Sequence, residues 1–88
     1  MFASVGFETV KKFTADEITA VLESFSEDDE CMVLRAKGLV ESIDGRWIHF
    51  DYVPGEADVR YGNAGIIGRL CVIGTGIENE KIKELFGV

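Results

Sequence analysis

Eighty-eight residues with 47% hydrophobic side chains, six Phe among them, are enough for one core without disulfides or metals. The net charge of −7 argues against nucleic acid or anionic membrane as partners. No apolar run reaches the roughly 18–20 residues that span a bilayer, and no basic-then-apolar leader opens the chain, so a single cytoplasmic domain over residues 1–88 is expected.

Taken in order, Val5 to Lys12 alternates loosely and reads as a first strand. Thr14-Ala15-Asp16-Glu17 is a capping box, in which the Thr14 hydroxyl and the Glu17 carboxylate satisfy free amides of a first helical turn. Phe13 and Ile18 flank it as a hydrophobic staple. Ile18, Val21, Leu22 and Phe25 then fall on one helical stripe. Glu27-Asp28-Asp29-Glu30 follows. It holds much of an uneven charge, since residues 1–44 carry 4 basic and 10 acidic groups and residues 45–88 carry 5 and 6. The run lacks the spaced ligands and glycine of a calcium loop and reads as a solvated connection.

From Cys31 to Val53, two β-rich runs flank Asp44-Gly45 and predict a hairpin. A two-residue turn would mix polar and apolar groups on both faces. A three-residue loop, Ile43-Asp44-Gly45 with Gly45 left-handed, separates them. In that register Met32, Leu34, Ala36, Gly38 and Val40 share a core face with Ile48, Phe50 and Tyr52. The opposite face collects Arg35, Lys37, Leu39, Glu41, Trp47, His49 and Asp51.

Pro54-Gly55 leads to a short arm over 57–61, and Gly62 to Gly68 reads as a loop. Residues 69–73 are apolar on both faces and predict an interior strand. Gly74-Thr75-Gly76 turns into a last helix near 79–86 with Ile82, Leu85 and Phe86 inward, stopped by Gly87. The fold class is therefore α+β: a two-layer sandwich of a mainly antiparallel sheet, four to five strands, with two helices on one face in the order β-α-β-β-β-β-α.

Chemistry-bearing motifs are sparse. Cys31 and Cys71 lack framework spacing and are expected as buried, reduced thiols. If their strands neighbour one another, Cys31, His49 and Cys71 form a set suited to zinc, which would make the chain a small metal-binding or metal-sensing protein. A nucleophile beside His49, oriented by Asp51, would suit a small enzyme, but the acidic chain offers a thiol little activation. Glu78 and Glu80 oppose anion binding at Gly74-Thr75-Gly76. A phosphate-binding Gly-x-x-x-x-Gly-Lys-Ser/Thr is absent, so these residues do not hydrolyse nucleotides alone, and no catalytic residue or cofactor is assigned to them. The strongest candidate is a protein-interaction face of Arg35, Lys37, Leu39, Trp47, His49 and Asp51, where an aromatic anchor sits in a charged rim.

Val5-Gly6-Phe7-Glu8-Thr9-Val10, Val33-Leu34-Arg35-Ala36-Lys37-Gly38-Leu39-Val40 and Arg69-Leu70-Cys71-Val72-Ile73-Gly74-Thr75-Gly76-Ile77 together resemble the C-terminal domain of the CobW family. In that family the domain follows a P-loop GTPase domain, and the whole acts in GTP-dependent metal delivery linked to cobalamin synthesis or zinc homeostasis. The Cys-x-Cys-Cys metal motif of the GTPase domain is not in this sequence. The resemblance implies a non-catalytic accessory domain that docks on a P-loop GTPase domain, a metalloprotein client or a second copy. Arg35, Lys37 and Gly38 match the family's motif. Arg35 and Lys37 are expected to meet acidic partner groups, and Gly38 to admit a helix close to the core face.

Overall fold

A computed structural model describes residues 2–27 and 32–88. Elements follow one another as β1 (Ala3–Thr9), β2 (Lys12–Phe13), α1 (Ala15–Phe25), β3 (Met32–Ser42), β4 (Trp47–Val53), β5 (Glu56–Gly62), β6 (Gly68–Thr75) and α2 (Asn79–Phe86). The sheet runs β1-β6-β3-β4-β5, antiparallel throughout, while the two-residue β2 pairs parallel with the end of β3. The α+β order holds, with the expected first strand divided in two. Its first part ends at Thr9, and after a two-residue link the chain resumes as β2 beside Glu41 and Ser42.

The hairpin between β3 and β4 has the three-residue loop. Val40 pairs with Ile48, Gly38 with Phe50 and Ala36 with Tyr52. Gly45 has φ +88°, and the Ser42 amide donates to the Arg46 carbonyl at 2.7 Å, closing the turn. The Asp44 carboxylate accepts from the Arg46 amide at 3.0 Å and from its guanidinium at 2.8 and 2.6 Å. The Arg46 guanidinium lies 3.7 Å over the Tyr61 ring, so the turn is fastened to β5. Hydrogen bonding from Arg46 lowers the Asp44 pKa from 3.8 to about 2.

The face assignment fails at the start of β3. A register shift between Val33 and Arg35 inserts one extra residue, so Val33 enters the core while Met32 faces solvent and Leu34 is half-buried. Gly74, opposite Val33, gives the physical reason: a Cβ there would collide with the Met32 carbonyl. The bare glycine lets the bulged backbone come close. Gly74 and Thr75 thus belong to β6, and the turn towards α2 falls on Gly76, φ +69°.

Both helices cover one face. The capping box forms as read: Thr14 Oγ1 accepts from the Glu17 amide and Glu17 Oε1 from the Thr14 amide, each at 3.1 Å. From α1, Ile18, Leu22 and Phe25 are buried; from α2, Ile82 and Phe86. Phe86 is the hub of the aromatic core. Its ring lies 6.0–6.4 Å from those of Phe7, Phe13, Phe25 and Phe50, which belong to four other elements. Gly87, left-handed at φ 73°, ends the helix, and the Lys11 ammonium donates to the Phe86 carbonyl at 3.0 Å. The link between β1 and β2 is thereby tied to the end of α2.

Candidate functional site: the open face of the sheet

With both helices on one side, the other face of the sheet has no second layer among the described residues. Strand alternation and register decide what stands on it. One cross-strand row runs Gly6, Cys71, Lys37, Asp51, Asp58; the next runs Glu8, Arg69, Leu39, His49, Arg60. All of these except Asp58 line a groove of about 640 Å³. The six residues expected to form an interaction face, Arg35, Lys37, Leu39, Trp47, His49 and Asp51, do stand on this side.

Most charges in the groove are already matched. Arg69 meets Glu8 at 3.0 Å, and Arg60 sits between Asp58 at 2.8 Å and Asp51 at 3.1 Å. Arg35 and Lys37 differ: among the described residues neither has an ion-pair or hydrogen-bond partner. Both lie on β3, whose two neighbours make it an interior strand of the sheet.

Trp47 and Leu39 are less available than the sequence suggests. The glycine-rich loop after β5 folds back over them, so both are half-buried. A Cβ on Gly65 would stand 2.7 Å from Leu39 Cδ2 and 3.3 Å from Trp47 Cζ3. His49 holds the same loop, with Nε2 2.9 Å from the Asn63 carbonyl oxygen and the ring against Gly62. The spacing of glycines at 62, 65 and 68 is the signal for this close passage. Only the fold shows which side chains the loop would cover. Ile66, at 101% relative exposure, projects from it.

The zinc set is not assembled among the described residues. Cys71 on β6 and His49 on β4 share the face but have β3 between them, and no cluster of three potential ligands occurs there. Cys31 lies outside the described residues. Cys71 is half-buried on the open face rather than in the core, with Sγ 3.7 Å from Ser4 Oγ. The small-enzyme arrangement fares no better: the Asp51 carboxylate pairs with Arg60, and His49 Nε2 with the Asn63 carbonyl. Gly38 does not admit a helix either. The Phe50 ring fills its space, and a Cβ would come within 2.6 Å of Phe50 Cε2.

Comparison with known proteins settles the family. Residues 2–88 match the model of the cobalamin synthesis protein cobW C-terminal domain. The chain belongs to the CobW C-terminal domain family. Two solved structures share its fold at 23% identity over 97% of this chain. One is the Zn(II)-bound YjiA GTPase from E. coli, TM-score 0.71, and the other a Zn(II)-bound triple mutant of YjiA GTPase, TM-score 0.72. The chain covers 28% of the length of either. No curated protein matches at a significant level. What the CobW family model matches here is the C-terminal domain and not the GTPase domain. No helix among the described residues is long and apolar enough to cross a membrane.

Proposed function

We propose that these residues act as the non-catalytic accessory domain of a CobW-type GTP-dependent metal chaperone, docking through the open sheet face onto a P-loop GTPase domain. The observation that carries this reading is the division of the sheet. One face is packed by α1 and α2, and the other presents a groove lined by Lys37 of the central strand, which also carries Arg35; among the described residues neither cation has an ion-pair partner. A pattern of alternating ion pairs and apolar groups on a rigid sheet gives register and specificity to a protein contact. Metal delivery, in cobalamin synthesis or zinc homeostasis, belongs to the assembled protein in this reading; the metal is its cargo and the GTP site lies on the partner domain.

Isothermal titration of a CobW-type P-loop GTPase domain with the 88-residue chain tests the reading. Binding that weakens in Lys37→Glu, while the variant's thermal unfolding is unchanged, is the expected result. Undiminished binding by Lys37→Glu and by Asp51→Lys would place the contact elsewhere.

A further inference from the structure

The fold leaves β1 as an edge strand. Among the described residues its only strand neighbour is β6, and the pairing from Ala3 with Gly74 to Thr9 with Gly68 runs without a register shift. Its outer side is therefore an unbroken row of backbone donors and acceptors, a ready template for a further strand. Native sheets guard such edges with charges, proline or a bulge. β5, the edge on the other side of the sheet, follows that rule, with Glu56, Asp58 and Arg60 at every second position. β1 has neither proline nor bulge, and its one charge, Glu8, is matched by Arg69 of β6.

Gly6 stands in the middle of this strand. The other strand glycines have reasons inside the chain: at Gly38, Gly62, Gly68 and Gly74 a Cβ would come closer than 3.0 Å to another atom. At Gly6 the nearest is the Leu70 carbonyl oxygen at 3.5 Å, an ordinary contact, and its φ is not positive. Among the described residues nothing asks for glycine there, although glycine weakens a strand. Such a glycine marks the close approach of another backbone. The outer side of β1 is where that backbone fits.

Self-complementarity identifies the occupant. A two-fold axis normal to the sheet sets two copies of β1 antiparallel, and an axis through Gly6, the middle residue, pairs all seven positions. Ala3 then meets Thr9, Ser4 meets Glu8, Val5 meets Phe7, and Gly6 meets itself. Val5 belongs to the core and the Phe7 ring lies 6.4 Å from that of Phe86, so the Val5–Phe7 pairs extend the apolar layer beneath the helices. The Ser4 hydroxyl donates to the Glu8 carboxylate of the other copy. The two Glu8 residues lie four positions apart along the pair, about 14 Å, so they repel little. One residue further at each end, the same register brings Phe2 of one copy to Val10 of the other, which are 69% and 82% exposed in the single chain. A foreign strand supplies its own small residue where one is needed; only a copy must meet Gly6 with the same residue.

We infer that β1 is the edge at which a second copy of this chain adds, antiparallel about Gly6. The result is one continuous sheet, with the helices of both copies on one side and both open faces on the other. The pairing leaves the open face uncovered and is independent of the docking reading.

Sedimentation equilibrium and native mass spectrometry of the 88-residue chain, from about 10 µM to 1 mM, test it. A reversible monomer–dimer equilibrium is expected, with concentration-dependent amide shifts of the ¹⁵N-labelled parent confined to residues 2–10 and their partners on β6. Gly6→Glu and Gly6→Lys each set like charges opposite one another and should weaken the dimer at least about tenfold at unchanged thermal unfolding. Mixed in equal amounts, they should recover a heterodimer, distinguished by its mass. A parent that stays monomeric at about 1 mM, a dimer indifferent to Gly6→Glu, or one lost in Arg60→Glu instead would overturn the inference. So would a monomeric parent whose binding to a GTPase domain is abolished by Gly6→Glu, since the edge would then receive a strand of that partner.

Discussion

Gly38 and Phe50 stand directly opposite each other on β3 and β4, and the Phe50 ring occupies the space a side chain at Gly38 would need. The same glycine also has the Arg69 carbonyl 2.8 Å from where its Cβ would be. An alanine there must displace a buried aromatic ring and a backbone group of the adjoining strand. Gly38→Ala is expected to cost about 1–3 kcal/mol by overpacking. Urea denaturation of Gly38→Ala, and of Gly38→Ala with Phe50→Leu, checks this, since the smaller ring-side residue should recover part of the loss.

Phe86 joins four elements through its ring contacts, and it lies in the final turn of α2. Phe86→Ala removes that junction and leaves a cavity between helices and sheet. A loss of about 3–5 kcal/mol is expected, measured by chemical denaturation.

The capping box at Thr14 is a local device with a local cost. Thr14→Ala removes the acceptor for the Glu17 amide and should lower stability by about 1 kcal/mol, read by urea midpoint at unchanged m-value.

The Asp44 pKa is lowered to about 2 by its hydrogen bonds from Arg46, against 3.8 for the ordinary group. Because the folded value is the lower one, the contribution to stability is present in full above about 3.8 and is lost as pH falls towards 2. The parent should therefore be more stable than Asp44→Asn at neutral pH, and the difference should narrow across that acid window. Thermal unfolding of both proteins at stepped pH reads it directly.

These positions differ in how far the sequence discloses them. The Thr14–Glu17 box, the Ile18–Phe25 stripe and the hairpin register were legible because each depends on residues close in the chain. A single misplaced residue would also have turned every β3 and β4 side chain over. The bulge at Val33 was not legible from β3, whose alternation reads smoothly. Its cause is Gly74, 41 residues further on and brought alongside by strand pairing. For the same reason the sequence suggested an exposed Trp47, since the loop that covers it returns from β5. Of the candidate face, the charged residues were placed correctly from alternation alone, whereas the outward turn of Met32 exists only through the bulge.

The central claim is that the open face, and not the helical face, carries the contact with a GTPase domain. Mapping amide shifts of the ¹⁵N-labelled chain on adding an unlabelled CobW-type P-loop GTPase domain tests it most directly. The account predicts perturbation of outward residues on β6, β3 and β4, with Arg35 and Lys37 at the centre and α1 and α2 silent. Shifts concentrated on the outer surfaces of α1 and α2, with the strands unmoved, would contradict it.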